Sequence, residues 1–191
     1  MERLKNHIQS HIELSPEELR TVITSFKCRN FSKNEFIQYS GTKSLDLLFI
    51  ENGLVRVYYL DNQGIEITIH IGMDDMWVNN LYAFISEKPS NVYIQALENS
   101  TIYLIQKRQL ERLYETIGSM ETFFRLKIER AYLALQDRTL NQINSTAESR
   151  YIEFKVKYGD IESKVPQYII ASYLSITPEH LSRIKKNLLK N

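Results

Sequence analysis

The sequence predicts an α+β fold: an N-terminal antiparallel β-roll (a double-stranded β-helix) with flanking helices, a long helix, and a C-terminal helix-turn-helix. Three observations carry this prediction. Apolar residues recur at helical spacing up to about residue 26, alternate with a period of two from 31 to about 105, and return to helical spacing from about 108. We therefore expect a β-roll domain at 1–115, a long helix at 116–145 and a helix-turn-helix domain at 146–191.

The composition is that of an ordinary globular protein, but its charge is unevenly distributed. Of the 191 residues, 43% are hydrophobic and 25% are charged, and the formal net charge is +1. The whole chain therefore gives no reason to expect a polyanionic partner. The segment 164–191, however, contains five basic residues and one acidic residue, a balance of +4 that leaves −3 for the rest (+1 minus +4). This asymmetry indicates a C-terminal domain that faces anions.

The single cysteine and the short apolar runs indicate the compartment. Cys28 cannot form an internal disulfide, and it cannot by itself hold zinc or an iron–sulfur cluster. The N-terminus has no apolar signal core, and no apolar run approaches the roughly 20 residues that a membrane-spanning helix needs. We therefore expect a soluble cytoplasmic protein in a reducing environment, with no membrane partner.

The first 26 residues are predicted to be helical. In the stretch Ser15-Pro16-Glu17-Glu18, the Ser15 hydroxyl can cap a helix, Pro16 suits the first helical position, and Glu18 can complete a capping box. The apolar residues that follow at helical spacing are Leu19, Val22, Ile23 and Phe26.

Short strand-like runs follow this helical segment. Their bounds are Leu45–Ile50, Leu54–Leu60, Ile65–Ile71, Val92–Leu97 and Thr101–Ile105. The segments 51–53 and 61–64, which separate the first three runs, contain the Asn and Gly that tight hairpins favour. Short strands at this spacing are typical of an antiparallel barrel or jelly roll, and closed rolls often hold a small ligand.

A long helix is predicted from about Met120 to Ile143, after a break at Gly118-Ser119. The apolar residues Phe124, Ile128, Ala131 and Leu135 fall four, three and four apart, and Leu126, Leu133 and Leu140 widen the apolar band. A helix packed on its own domain would show this pattern. A helix that forms a seam with a second copy of the chain would show it as well.

The C-terminal segment is predicted to form two short helices around a turn at 175–177. Pro166 can start the first helix, while Thr177 and Pro178 can cap and begin the second. The apolar residues at the positions that pack the two helices together are Ile170, Ala171, Leu174, Leu181, Ile184 and Leu188. This is the helix-turn-helix arrangement of DNA-binding proteins, in which the second helix is exposed.

The outward residues of the second helix suit a DNA duplex. Arg183 can bond a guanine, and Glu179, four residues earlier, can accept from a cytosine amine or orient the Arg. The lysines at 185, 186 and 190 can contact phosphates. The residues predicted to contact DNA are Gln167, Thr177, Pro178, Glu179, His180, Ser182, Arg183 and Lys186. Two ordinary amphipathic helices with a surface ion pair would show the same pattern.

The order of these parts resembles the Crp–Fnr family of bacterial transcription regulators. The likeness is strongest in QYIIASYLSITPEHLSRIKKNL, and LLFIENGLVRVYYLDNQGIEITIHI supports it. The resemblance implies a transcription regulator, not an enzyme, that binds a palindromic double-stranded DNA site as a homodimer and contacts RNA polymerase. It also implies that Glu179 and Arg183 read bases, and that Pro178 stands where the cyclic-AMP receptor protein has an arginine. It places the dimer interface on the long helix, at Phe124, Ile128, Ala131 and Leu135.

The effector site departs from that family. Its cyclic-nucleotide binders carry a Gly-Glu-[Leu/Ile/Val] element, whose Glu bonds the ribose, and an Arg-[Ser/Thr]-Ala element, whose Arg neutralises the phosphate. Here Asn79-Asn80-Leu81 and Ser90-Asn91-Val92 stand in their places. Because a buried phosphate without a cation or many donors is costly, we expect weak or no cyclic-AMP binding, and another small-molecule effector or none. The residues predicted to line a pocket for a neutral ligand are Trp77, Asn79, Asn80, Leu81, Tyr82, Ser90 and Asn91.

Other functions fit the sequence less well. A cupin-like enzyme would need a cluster of His and Glu on the strands, and the strands offer His70 alone. His7 and His11 lie four residues apart, but without a third ligand they fit a solvated helix face better than a zinc site. We therefore expect no metal and no cofactor. A ligand-binding module without affinity for DNA is the other alternative.

Overall fold

The computed structural model describes residues 1–43 and 45–189, which form two compact units. Unit 1 comprises residues 1–59 and 70–129, and unit 2 comprises residues 60–69 and those from 130 onward. The elements in chain order are α1 (Glu2–Gln9), α2 (Pro16–Thr24), β1 (Lys27–Phe31), β2 (Phe36–Gln38), β3 (Asp46–Asn52), β4 (Leu54–Leu60), β5 (Glu66–Met73), β6 (Met76–Val78), α3 (Leu81–Ser86), β7 (Tyr93–Ala96), β8 (Ser100–Gln106), α4 (Lys107–Thr116), α5 (Gly118–Asn144), α6 (Ala147–Tyr158), a 3-10 helix (Gly159–Lys164), α7 (Gln167–Tyr173) and α8 (Pro178–Leu188).

The strands form two four-stranded sheets, with the orders β1-β8-β3-β6 and β2-β7-β4-β5. Strand β8 pairs antiparallel with both β1 and β3, so that Tyr103 aligns with Cys28 on one side and with Phe49 on the other. Strand β4 pairs antiparallel with β7, with Val57 opposite Ile94. The predicted α+β class with antiparallel sheets and a long helix is therefore confirmed.

The turn between β3 and β4 requires a glycine. Gly53 has a φ of +130°, and a Cβ atom at this position would lie 2.1 Å from Ser100 Oγ and 2.7 Å from Ser100 Cα. Asp74 fixes the turn from outside, because its Oδ1 accepts a hydrogen bond from the Gly53 amide at 2.7 Å. Only a residue without a side chain fits this close approach of two backbones.

The core of unit 1 includes the start of the long helix. Phe123 and Phe124 are 0% and 4% exposed, and both pack edge-on against the Trp77 ring. Trp77 also contacts Phe49 of β3, with 5.3 Å between ring centroids. The first turns of α5 therefore belong to the core of this unit. For these turns, the interpretation of α5 as a helix packed on its own domain is correct.

The long helix begins earlier than predicted. Gly118 and Ser119, which we expected to break the helix, form its first turn, and Ile117 is the residue that separates α4 from α5. Ile117 has a non-helical conformation (φ −136°, ψ 85°) and is 4% exposed. Burial of this apolar side chain holds the kink, so no glycine is needed there.

Unit 2 packs its helices around aromatic and aliphatic side chains. Helix α6 buries Tyr151, Phe154 and Tyr158. Helices α7 and α8 bury apolar residues at the positions that the sequence pattern marks, namely Ile170, Ala171, Leu174, Leu181 and Ile184. Ala171 is 1% exposed, and its small side chain allows the two helices to approach.

His7 connects helix α1 to the rest of unit 1. His7 Nδ1 lies 2.9 Å from Asp75 Oδ1, and His7 Nε2 contacts the Lys127 ammonium group. The His7 ring stacks on His11 at 5.1 Å and packs edge-on against Phe49 at 5.3 Å. The interpretation of this helix face as solvated is therefore wrong for His7, whose side chain is only 11% exposed.

The His7 environment predicts a loss of stability in acid. Burial, together with the charge of Lys127, lowers the pKa of His7 below its usual 6.5, although Asp75 acts in the opposite direction. The unfolded chain therefore binds this proton more readily, and stability falls as the pH drops below about 6.5. We expect the thermal midpoint at pH 5.5 to lie below that at pH 7.5, with a smaller difference in His7→Gln.

The control for this experiment is His180→Gln, since His180 lies on α8 in the other unit. This variant should keep the pH dependence of the original chain. An unchanged pH dependence in His7→Gln would show that His7 is not the responsible group.

Candidate functional site

Helix α8 begins with a complete cap. Thr177 adopts an extended conformation, its hydroxyl accepts a hydrogen bond from the His180 amide at 3.2 Å, and Pro178 occupies the first helical position. The backbone amide of Glu179 and the Thr177 hydroxyl lower the pKa of the Glu179 carboxyl, which is therefore charged at neutral pH. The cap fixes the start of the helix that carries most of the predicted DNA contacts.

The residues predicted to contact DNA lie on the surface of unit 2. Leu181 and Ile184 are buried, so the opposite side of α8 faces solvent. His180 is half-buried, and the exposed members of the predicted set are Gln167, Thr177, Pro178, Glu179, Ser182, Arg183 and Lys186. Gln167 stands apart from the others, at the start of α7.

Lys185 does not have the free ammonium group that we expected. Its Nζ lies 2.7 Å from Glu162 Oε1, and the Tyr151 hydroxyl donates to the same oxygen at 2.7 Å. Burial raises the pKa of Glu162, but the hydrogen bonds from Lys185 and Tyr151 outweigh it and lower the pKa overall. Lys185 thus anchors α8 to the 3-10 helix. Lys190, the last lysine expected to contact phosphate, lies outside the described residues.

The turn between α7 and α8 contains a residue in a left-handed conformation. Ser175 has a φ of +57°. The amide of Ile176 donates to Ala171 O at 3.0 Å, and the amide of Ser175 donates to Ser172 O at 3.1 Å. These bonds end α7 in the manner of a Schellman motif, in which glycine is the usual residue at the left-handed position.

Side chains that the sequence analysis missed hold the end of α7. Arg138 donates to Tyr173 O and to Thr68 O, each at 3.2 Å, and its guanidinium group lies 4.3 Å from the centre of the Tyr173 ring. Arg150 donates to Leu174 O at 3.2 Å. Apolar periodicity cannot find such residues, because the acceptors are backbone carbonyl groups that carry no sequence signature.

Ser172 fastens α7 to the first part of β5. Its Oγ accepts a hydrogen bond from the Thr68 amide at 2.8 Å and donates to Glu66 O at 2.9 Å. One hydroxyl therefore satisfies two backbone groups of the strand, as a neighbouring strand would. Gln142 Nε2 adds a bond to Ser175 Oγ at 3.3 Å. The helices of unit 2 are thus positioned by polar contacts as well as by their core.

In unit 1, the polar residues that replace the nucleotide-binding elements form a closed network. The Ser90 hydroxyl accepts from Asn80 Nδ2 at 3.1 Å and from Gln38 Nε2, and it donates to Val92 O at 2.9 Å. Asn80 Nδ2 also donates to Asn91 Oδ1 at 2.9 Å. The network contains only amide and hydroxyl groups. Gln38 is one of its members, although no sequence pattern marks it.

The other residues of the predicted pocket have different surroundings. Asn80 caps α3 by accepting from the Ala83 amide, which directs the backbone of Leu81 and Tyr82 into that helix. Tyr82 is 54% exposed, and Asn79 and Leu81 are half-buried. Trp77 packs in the aromatic core instead, where its indole Nε1 is buried and has no hydrogen-bond partner among the described residues. The structure brings Asn80, Ser90 and Asn91 together and leaves Trp77 and Tyr82 outside their network.

Helix α5 exposes apolar side chains along the part that follows its buried start. Phe124 belongs to the core of unit 1, whereas Ile128 is 41% exposed and Leu135 is 62% exposed. Ala131 is also exposed. Other large apolar residues of α5 with exposed side chains are Tyr132, Leu133, Leu140 and Ile143.

Residues 1–43 and 45–189 contain neither a metal-binding cluster nor a membrane-spanning helix. No group of three or more His, Cys, Asp and Glu side chains is placed to hold a metal ion. None of the described helices combines the length and the apolar composition that crossing a membrane requires.

Residues 28–117 match the family model of the cyclic nucleotide-binding domain. This part of the chain, slightly less than half of it, is similar to that domain. The match spans the strands that hold the Asn80–Ser90 network and ends at the residue before α5. A comparison with curated proteins finds no match.

Solved structures of bacterial regulators share the fold of nearly the whole chain. FixK2 from Bradyrhizobium japonicum is 17% identical, over 86% of this chain and 85% of that one, with a TM-score of 0.73. The c-di-GMP-responsive global regulator CLP from Xanthomonas campestris is 12% identical, over 92% of each chain, with a TM-score of 0.71. A Crp/Fnr-family protein from Eubacterium rectale is 15% identical, over 92% of this chain and 84% of that one, with a TM-score of 0.70. At these identities the likeness shows a common fold.

The left-handed conformation of Ser175 predicts how substitutions in the turn behave. A β-branched residue there should cost about 1–2 kcal/mol more than serine, because its two Cγ atoms crowd the backbone in this conformation, whereas serine has a single Oγ. We expect Ser175→Val to lower the free energy of unfolding by this amount and Ser175→Gly not to lower it, as measured by urea denaturation of the full chain. Ser163→Val, at an exposed position of the 3-10 helix, is the control. Equal stability of the two Ser175 variants would contradict the assignment.

Proposed function

We propose that this chain is a dimeric, sequence-specific DNA-binding transcription regulator of the Crp–Fnr type. The observation that carries the proposal is α8, a capped helix with one buried face and an exposed face that presents Glu179 and Arg183. Such a helix can enter a major groove, where Arg bonds guanine and Glu accepts from cytosine or orients the Arg. Pro178 at the first helical position should give a sequence preference unlike that of the cyclic-AMP receptor protein.

The exposed apolar residues of α5 support a homodimer. Ile128, Tyr132 and Leu135 are four and three residues apart, which is the spacing of a two-helix seam. Water is a poor environment for such a row of large apolar side chains, and a second copy of the same helix would cover it. Of the residues predicted to form the dimer interface, Ile128, Ala131 and Leu135 remain in the proposal. Phe124 does not, because it is buried in unit 1.

The polar network of unit 1 supports an effector other than cyclic AMP, or none. A cyclic nucleotide brings one negative charge, and the groups at Asn80, Ser90 and Asn91 are neutral and already bonded to one another. Placing a phosphate there would break these bonds without supplying a cation. RNA polymerase is a proposed partner on the strength of the resemblance alone.

The first experiment is selection of random duplex DNA by the purified full-length chain, followed by sequencing of the bound fraction. A dimeric regulator should enrich a two-fold symmetric motif with half-sites one helical turn apart, about 34–36 Å. Absence of both enrichment and salt-dependent binding would favour a ligand-binding module without DNA affinity.

Arg183 should be essential for sequence choice. We expect Arg183→Ala to weaken binding to the selected site by roughly 10- to 100-fold, because a bidentate contact to guanine contributes ~1–3 kcal/mol. Arg183→Lys should keep salt-dependent binding to random DNA but lose most of the preference for the selected site. Arg20→Ala, an exposed arginine on α2, is the control. Sequence preference that survives in Arg183→Ala would remove Arg183 from the readout.

The dimer should depend on the exposed apolar residues of α5. Leu135→Glu places a charge in the proposed seam and should yield monomers in sedimentation equilibrium, with loss of binding to the symmetric site. Val156→Glu is the matched control, because Val156 is an 86% exposed apolar residue on α6. A dimer that persists in Leu135→Glu but dissociates in Val156→Glu would place the interface on α6.

A further inference from the structure

A partly buried acidic residue lies beside α8, the helix with most of the predicted DNA contacts. Glu162 belongs to the 3-10 helix, and only 16% of its side chain is exposed. Its Oε1 atom lies 2.7 Å from Lys185 Nζ and accepts a hydrogen bond of 2.7 Å from the Tyr151 hydroxyl. The helix α6, the 3-10 helix and α8 of unit 2 are therefore joined at one carboxylate oxygen.

Tyr151 fixes this carboxylate in place. Its side chain is 3% exposed, so packing in the core of unit 2 sets the position of the ring. Burial, together with the neighbouring Glu162, raises the pKa of Tyr151, so its hydroxyl keeps the proton that it donates. In an ordinary surface ion pair, both side chains lose conformational freedom when the pair forms. Here the acidic partner is already held by Tyr151, which favours the pair with Lys185.

Lys185 lies on a side of α8 that would approach a DNA duplex. Pro178, Ser182 and Lys185 are four and three residues apart, so they share one side of the helix. Pro178 and Ser182 are exposed and belong to the predicted DNA contacts. The Lys185 side chain is only 26% exposed, and its ammonium group lies 5.9 Å from the centre of the Tyr151 ring. From the same backbone position, the flexible side chain of a lysine can turn toward Glu162 or toward a phosphate group.

The ion pair also changes the charge that α8 presents. Arg183 and Lys186 are exposed basic residues of this helix, and the charged Glu179 carboxyl opposes them. Affinity for DNA of any sequence comes mainly from cations that neutralise phosphates and release counterions. A lysine that is already neutralised by a carboxylate of its own chain contributes less to this release. Glu162 thus takes the position that a DNA phosphate would take at Lys185.

We propose that Glu162 is a positioning residue that lowers DNA affinity by competing with phosphate groups for the Lys185 ammonium group. This inference rests on the function proposed above. Each α8 helix of a bound dimer loses one phosphate contact while Lys185 remains paired with Glu162. Because phosphate contacts carry no sequence information, the loss applies equally to the selected site and to random DNA.

The first test measures binding of the full-length chain to a random-sequence duplex and to the selected site, by fluorescence anisotropy between about 50 and 200 mM salt. Glu162→Gln keeps an acceptor for the Tyr151 hydroxyl but removes the charge that holds Lys185. We expect this variant to bind both duplexes more tightly. The slope of log affinity against log salt should steepen by about 0.9 for each bound subunit, as one added phosphate contact predicts.

Two further variants assign this effect to Lys185. The double variant Glu162→Gln/Lys185→Gln should return to the salt dependence of the original chain, because the released cation is then missing. Asp160→Asn is the matched control, since it removes an exposed acidic residue from the same 3-10 helix. It should keep the salt dependence of the original chain.

A second measurement reports the contact without DNA. Trace acetylation of the full-length chain with acetic anhydride, followed by mass spectrometry, compares Lys185 with the exposed Lys186. We expect Lys185 to react more slowly than Lys186 in the original chain and in Asp160→Asn. In Glu162→Gln the two lysines should react at similar rates, because Lys185 has lost its charged partner.

Several results would overturn the proposal. These are equal acetylation of Lys185 and Lys186 in the original chain, an unchanged salt dependence in Glu162→Gln, and a gain in affinity that persists in the double variant. The last result would assign the gain to the lost negative charge alone. If neither the original chain nor any variant binds DNA, the proposed function fails, and the effect on affinity fails with it. The acetylation rates would still show whether Glu162 holds Lys185.

Discussion

The structure of unit 2 depends on one half-buried cation, Arg138. The Arg138 guanidinium group joins α5 to β5 through Thr68 O and to the end of α7 through Tyr173 O, and it stacks on the Tyr173 ring. Burial lowers the pKa of Arg138, yet an arginine remains charged at any physiological pH. Hydrogen bonds from a charged donor contribute about 1.5–3 kcal/mol each, and their loss would leave two carbonyl groups without this partner. The position of α7, and through the Ser175 turn that of α8, therefore follows from contacts made by a residue of α5.

The polar contacts described in unit 1 mainly join side chains to one another, whereas those in unit 2 join side chains to backbone groups. In unit 1, the amides and hydroxyls at Gln38, Asn80 and Ser90 satisfy one another, so a ligand would have to break bonds before it could form any. In unit 2, Arg138, Arg150 and Ser172 are bonded to backbone groups of β5 and of the end of α7. A closed network of neutral groups is a poor place for a charged effector.

Helix caps and tight turns could be predicted from the sequence, because each depends on a few neighbouring residues. The capping box of α2 forms as expected, with the Ser15 amide bonded to Glu18 Oε2 at 2.8 Å and the Glu18 amide bonded to Ser15 Oγ at 3.2 Å. The Gly53 turn and the Thr177 cap form for the same reason. Partners far apart in sequence could not be predicted: Ser172 bonds residues more than 100 positions away, and Lys185 turns from solvent to Glu162. The sequence places Phe124 on the same stripe as Ile128, and only tertiary packing separates a core residue from a surface residue there.

The Lys185 ammonium group is paired with Glu162. In the proposed complex with DNA, affinity would therefore depend more strongly on dimerisation. Helix α8 contains Lys185 and Lys186 as its only lysines, and the first of them is bonded to Glu162. Arg183 and Lys186 are then the cations of α8 left to face the duplex, and each phosphate contact contributes only a part of non-specific affinity. One copy of this helix would therefore offer few such contacts to a duplex. Two copies on one duplex double the charge, and the second binding event becomes intramolecular. The exposed apolar residues of α5 would therefore increase DNA affinity as well as make the complex symmetric. A dimer interface formed by them would keep two α8 helices on one duplex, with twice the number of phosphate contacts.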